Sequence, residues 1–244
     1  MNYQKQKPKR KSPKVEIKHM FLETVLHYAL KIRPVAATLN LNQQYQYPTG
    51  RRGRYVARQM NQSHEPLTQW GLTKVKIASN DIILDVGCGG GKTVGRLAQL
   101  VPLGKVFGID ISPDMVNYSK EVNKELIAKD RVQIIEGSVE KMSFPDDYFD
   151  LVTAVETYFF WPNFRDAIRE ISRVIKSGGE LLLVNEMLKD GIYEVKNAKL
   201  IEETHVHLIP LQEIQNVMCS IGFVDVQVFT ETESPWNAVL AKKQ

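Results

Sequence analysis

The stretch Ile82-Ile83-Leu84-Asp85-Val86-Gly87-Cys88-Gly89-Gly90-Gly91-Lys92-Thr93 constrains this chain more than any other. A short apolar run ends in an acid, turns through glycines and opens into a segment with Val94, Leu97, Ala98 and Val101 at helical spacing. Strand, glycine turn and helix in that order form a unit that holds a nucleotide-like ligand at the carboxyl end of a first parallel strand. Glycine lets the backbone bend tightly and approach the ligand closely.

Two common ligands are excluded by spacing. A dinucleotide turn needs G-x-G-x-x-G; Gly87 and Gly89 fit, but Lys92 stands at the third glycine. A phosphate loop needs G-x-x-x-x-G-K-[ST]. Gly91-Lys92-Thr93 matches its end, but Val86 occupies the first glycine. What remains is Asp85-x-Gly87-x-Gly89-x-Gly91. The next apolar run, Val106-Phe107-Gly108-Ile109-Asp110, again ends in an acid, 19 residues after Gly91. A carboxylate at that point offers acceptors to both vicinal hydroxyls of a ribose. Ser112-Pro113 supplies the helix cap and first turn that follow.

Downstream, Gly137-Ser138-Val139-Glu140 leads through Met142 to Asp150, and Arg173-Val174-Ile175-Lys176-Ser177-Gly178-Gly179-Glu180-Leu181 leads into a further apolar run. Together these segments, in this order, resemble the motifs of class I S-adenosylmethionine-dependent methyltransferases, closest to the small-molecule enzymes related to quinone biosynthesis. The resemblance covers about residues 80–185. It implies an α/β fold: a Rossmann-like doubly wound seven-stranded sheet, mostly parallel with an antiparallel last strand. It implies S-adenosyl-L-methionine as cofactor and S-adenosyl-L-homocysteine as product. By the same resemblance Asp85, Gly87, Cys88 and Gly89 face the methionine part, and Asp110 and Ile111 the ribose. Met115, Ser138, Val139 and Glu140 belong with the cofactor site, the last three flanking the adenine, and Val155 ends the strand beside the sulfonium. Ser138 stands where the family often has Asp, which leaves the adenine amino contact to backbone.

The loop after that strand, Glu156-Thr157-Tyr158-Phe159-Phe160-Trp161-Pro162, sets an acid in an aromatic run. Aromatic faces stabilise a sulfonium and exclude water. Glu156 and Tyr158, with His64 and His207, are the candidate catalytic residues; imidazoles titrate near neutral pH and accept protons there. His205 and His207 flank Val206 at a metal-like spacing, but no third ligand is evident. No Cys/His pattern for a metal occurs, and no metal is expected.

The charge is uneven. Residues 1–80 hold 15 Lys+Arg against 3 Asp+Glu, and the remainder 17 against 25, so +12 faces −8. Residues 1–15 carry Lys5, Lys7, Lys9, Arg10, Lys11 and Lys14 around two prolines and read as a disordered basic tail. Residues 16–78 read as a helical extension over the active-site mouth, and 79–244 as the catalytic domain. Within the extension, 16–38 carry an apolar stripe, 40–54 read as a flexible connection holding the basic cluster Arg51-Arg52-Gly53-Arg54, and 55–62 and 66–75 read as short helices. No apolar run reaches a membrane span, no secretory signal is visible, and two distant cysteines suit a reducing cytoplasm.

The expected partner is a small-molecule acceptor, methylated on O, N, C or S. The basic tail leaves nucleic acid as an alternative, in the form of RNA methylation, although no N/D-P-P-aromatic motif follows strand four. A non-catalytic cofactor-binding module is the other alternative. The acceptor and the oligomeric state are not legible.

Overall fold

The structure, a computed structural model, describes residues 43–189, 191–204 and 206–244. The expected tail at 1–15 and helix at 16–38 lie outside the described residues, as does His205.

Three helices come first: α1 (Gln43–Gln46), α2 (Gly50–Ser63) and α3 (Glu65–Leu72). Then strands and helices alternate: β1 (Ile82–Val86), α4 (Lys92–Leu100), β2 (Lys105–Asp110), α5 (Pro113–Val122), α6 (Lys124–Ala128), β3 (Val132–Glu136) and β4 (Phe149–Val155). A 3-10 turn (Tyr158–Phe160) leads to α7 (Phe164–Val174) and β5 (Ile175–Asn185). The chain ends with α8 (Ile192–Thr204), α9 (Leu211–Ile221), β6 (Phe223–Thr230) and β7 (Asn237–Lys243).

The seven strands form one sheet in the order β3-β2-β1-β4-β5-β7-β6. β1 to β5 pair in parallel, while β7 runs antiparallel to both β5 and β6. Parallel strands need crossovers, and the crossover helices cover both faces. The strands are accordingly apolar on both sides. In β5, Leu181 and Leu183 join one core with α7 and α9, while Leu182 and Val184 join the other with α3 and α4. Ala167, Ile168, Ile171 and Val174 of α7 are wholly buried at helical spacing, and the Asn163 side chain caps the helix by accepting from the Asp166 amide.

Four features depart from or add to the sequence reading. Of the connection expected at 40–54, the described residues 43–54 hold α1 and the start of α2. Amides at the start of α2 are satisfied by neighbouring helices, since the Thr49 amide donates to Gln44 Oε1 of α1 (2.7 Å) and the Gly50 amide to Asp114 Oδ2 of α5 (2.8 Å). The helix after Pro113 breaks at Asn123, whose side-chain amide donates to the Gly91 carbonyl (2.9 Å) instead of facing solvent. β5 starts at Ile175, ahead of the apolar run. Phe149 pairs with Ile175 and Leu151 with Glu180, so two steps on β4 face five on β5, and the Gly178 turn bulges out. The helix α8 has no counterpart in the sequence reading.

Among the described residues no helix is long and apolar enough to cross a membrane.

Candidate active site

β1 and β2 carry their acids to the carboxyl edge of the sheet, where the glycine turn begins. Gly87 has φ +67°, and a Cβ there would lie 2.2 Å from Thr157 Oγ1. Only glycine lets this turn pack against the end of β4. At Gly89 the opposite holds: φ is +48° and a Cβ would meet nothing within 4 Å, so the turn borders open space. Asp110 fixes the turn. Its Oδ2 accepts from the Gly89 amide (2.8 Å) and its Oδ1 from the Ser112 amide (2.9 Å). Burial raises its pKa, and these two amides oppose the rise.

The open space is a cavity of about 310 Å³. Of the residues singled out from sequence, Asp85, Gly87, Cys88, Gly89, Asp110, Ile111, Met115, Ser138, Val139, Val155, Glu156 and His64 all line it. Asp85 is almost completely buried and accepts from Thr153 Oγ1 (2.7 Å); burial pushes its pKa to about 7, partly opposed by that hydrogen bond. Cys88 is a free, buried thiol whose pKa burial and the neighbouring Asp110 and Asp85 push well up. It fills space within the turn. Ile111 is 57% exposed, an apolar side chain left open at the cavity wall.

Three predicted residues do not reach the cavity. Tyr158 is buried in the core against Phe159 and Phe164, its oxygen bonded to the Ile209 backbone and its pKa pushed by burial to about 12. At the 3-10 turn it is Phe160 and the following Trp161, not Tyr158, that line the cavity. Glu140 accepts from the Asn163 amide (3.2 Å), tying two loops together. His207 is exposed, and its amide donates to the Phe159 carbonyl (2.9 Å). This main-chain bond joins the segment before α9 to the 3-10 turn.

Glu156 continues the β4–β5 ladder, its amide donating to the Val184 carbonyl (2.9 Å), but with φ +56°. A left-handed glutamate costs on the order of 1 kcal/mol or more. The strain turns its side chain into the cavity wall, where the Glu186 amide donates to Glu156 Oε1. Burial and the Glu186 charge push the Glu156 pKa well up. His64 Nε2 stands 4.0 Å from Glu186 Oε1; burial lowers the His64 pKa, and the Glu186 charge opposes this. Glu186 is a residue that the sequence reading missed. The signal was present: Asp110, Glu156 and Glu186 all stand at or just beyond the end of a parallel strand.

The first three helices close one side. Tyr45, Tyr47, Met60, Asn61, Glu65 and Thr68 line the cavity. They are tied down from α1 to α3. Ser112 Oγ donates to the Pro48 carbonyl (2.7 Å), Arg54 pairs with Glu121 (2.8 Å), Asn61 Nδ2 donates to the Gly90 carbonyl (3.2 Å), and Arg96 pairs with Glu65. Leu67 of α3 is buried in the core beside β5, and a Cβ on Gly71 would lie 2.5 Å from Val184.

Residues 84–183 match the family described as methyltransferase domain. This segment is a methyltransferase domain. Sterol 4-C-methyltransferase of Caenorhabditis elegans is 29% identical over 133 residues, 54% of this chain and 39% of that one. Sterol 24-C-methyltransferase of Eremothecium gossypii is 35% identical over 121 residues, 50% of this chain and 32% of that one. This chain thus spans less than half the length of these two relatives. The methyltransferase fold extends further than the sequence match. A phosphoethanolamine N-methyltransferase of Haemonchus contortus, solved with S-adenosyl-L-methionine, superposes with a TM-score of 0.66 at 17% identity, over 73% of this chain and 52% of that one. The glycine turn from Asp85, Asp110, and the Ser138–Val139 loop that border the cavity all fall inside the matched methyltransferase segment.

Proposed function

We propose that this chain transfers the methyl group of S-adenosyl-L-methionine to a small-molecule acceptor. The observation that carries the reading is Asp110. Its carboxylate borders the cavity and spends one bond per oxygen, Oδ2 on the Gly89 amide and Oδ1 on the Ser112 amide, leaving a lone pair on each for ribose hydroxyls. The open cradle at Gly89 and the apolar pair Met115 and Val139 suit the rest of an adenosyl group.

S-adenosyl-L-methionine supplies an electrophilic sulfonium methyl, so the protein's main task is to position two reactants and keep water out. Asp85 and the Gly87–Gly89 backbone hold the methionine end. Ile111, Met115, Ser138 and Val139 hold the adenosine end. Phe160, Trp161 and Tyr45 wall the acceptor side, and residues 43–72 act as its cover. Glu156 and His64 are the groups placed to accept a proton from an acceptor that must lose one. The two free cysteines fit a reducing, cytoplasmic setting.

Calorimetry tests the first half of the reading: S-adenosyl-L-homocysteine binds in the micromolar range, about −8 kcal/mol, while NAD and ATP do not. A screen of phenols, quinols, amines and thiols with labelled cofactor tests the second. Nucleotide binding without adenosylhomocysteine binding refutes the cofactor assignment. Tight cofactor binding with no transfer to any acceptor class favours a binding module over an enzyme.

A further inference from the structure

Three side chains remote in sequence converge on the acceptor side of the cavity. His64 stands at the junction of α2 and α3, Glu156 follows β4, and Glu186 follows β5. One ligand atom from each, an imidazole nitrogen and two carboxylate oxygens, lies within 4.8 Å of the others. Their placement is built rather than incidental. Glu156 is nine-tenths buried, leaves the chain from a left-handed backbone, and receives the Glu186 amide. His64 is held by the helix junction: its amide donates to the Met60 carbonyl (2.9 Å), and its own carbonyl accepts from the Thr68 amide and hydroxyl, both at 2.8 Å.

Two carboxylates held close together, Glu156 buried and Glu186 about a third exposed, are unfavourable without a positive charge between them. Among the described residues, no lysine or arginine pairs with Glu156 or Glu186; the ion-pair partner of Glu186 is His64. Arg96, the arginine on the cavity wall, pairs with Glu65 instead. A nitrogen and two carboxylate oxygens form a donor set for zinc, manganese or ferrous ions, which bind such atoms at about 2.0–2.2 Å. His64 and Glu156 border the cavity, so further coordination positions would face it.

We propose that His64, Glu156 and Glu186 bind one divalent cation at the acceptor side of the cavity. Ligand atoms around such an ion lie roughly 3–3.5 Å apart at those bond lengths. Binding therefore draws the three groups together by about 1 Å, mostly through the His64 and Glu186 side chains. The site stands independently of methyl transfer, since it rests on the donor set and its surroundings alone.

The test uses the full chain, stripped with a chelator and titrated with Mn²⁺ by electron paramagnetic resonance and with Zn²⁺ by calorimetry. One equivalent of at least one of the two ions is expected to bind. Glu186→Gln should weaken it at least tenfold, and His64→Gln likewise, with melting curves recorded to show that each variant is folded. The two substitutions remove different ligands from different elements, so misfolding of one leaves the other decisive. No binding of either ion by the wild type overturns the site and leaves the carboxylates as a proton-sharing pair. Binding of equal strength in a folded Gln variant also overturns it, by locating the ion elsewhere.

Discussion

Asp85 shows how one buried carboxyl links ligand binding to stability. In the folded chain burial holds its pKa at about 7, against an ordinary value of 3.8. Between these values the folded state keeps a proton that the unfolded state has released. Stability therefore falls as pH rises from about 4 through about 7, and levels off above. A difference of that size corresponds to on the order of 4 kcal/mol, of which about 2–3 kcal/mol lies between pH 5 and 8. Asp85→Asn removes the titration. Denaturant unfolding at pH 5 and pH 8 should show wild type losing that stability relative to the variant; parallel behaviour of the two proteins refutes the account. At Asp110 the expected effect is on affinity. Asp110→Ala deletes charge-assisted acceptors and should weaken S-adenosyl-L-homocysteine by about 1.5–3 kcal/mol, read by calorimetry on a variant whose melting curve is cooperative. An unchanged affinity would make Asp110 a purely structural clamp on Gly89. Residues of this kind were legible in the sequence because strand, turn and acid lie within a few positions of one another. Glu186 was not, since its significance comes only from the neighbours that β4 and the α2–α3 junction bring to it. Tyr158 was misplaced for a related reason: in an aromatic run, a 3-10 turn decides which rings face inward, and composition carries no record of that turn.

Among the elements, the sheet was the most legible part. Its seven strands, their parallel sense and the reversed β7 follow from apolar runs separated by capped helices, and Ser112, Asn163 and Gly222 sit where those helices begin or end. Ahead of the sheet, α1 and the start of α2 were not legible, whereas the rest of α2 and α3 were read as short helices. Residues 43–63 are polar, and their helical state depends on partners supplied by α5, such as Asp114 and Glu121. The glycine turn joins the two regimes, because Gly87 packs on Thr157 at the far end of β4. Gly87→Ala combines a positive φ with a Cβ 2.2 Å from Thr157 Oγ1. It should destabilise the fold by about 1–3 kcal/mol and displace Glu156 with its neighbour. Thermal melting and cofactor affinity should therefore fall together; loss of affinity with an unchanged melting temperature would show that the turn yields without disturbing β4.

In the whole molecule the leading helices belong to the core as much as to the site. Val56, Ala57 and Leu67 are buried, and Trp70 packs tilted on Trp236 at 6.0 Å. Fully burying one large apolar side chain contributes about 1.5–3 kcal/mol, so removing residues 1–78 should abolish cooperative melting. A truncated chain that still unfolds in one sharp transition would show that the methyltransferase domain is self-sufficient. Removing residues 1–14, in contrast, should leave adenosylhomocysteine affinity unchanged.

The ties holding α2 and α3 also have a kinetic meaning. Two of them, Arg54 with Glu121 and Arg96 with Glu65, are ion pairs at the surface or half-exposed, and salt screens such pairs. A spent cofactor that leaves past these helices has to wait for them to part. Raising ionic strength should then shorten the residence time of S-adenosyl-L-homocysteine more than it slows its entry. Stopped-flow displacement at low and high salt reads that asymmetry directly, and equal changes in both rates would mean that the exit lies elsewhere. The same contacts that shelter the reaction would in this way act as its clock.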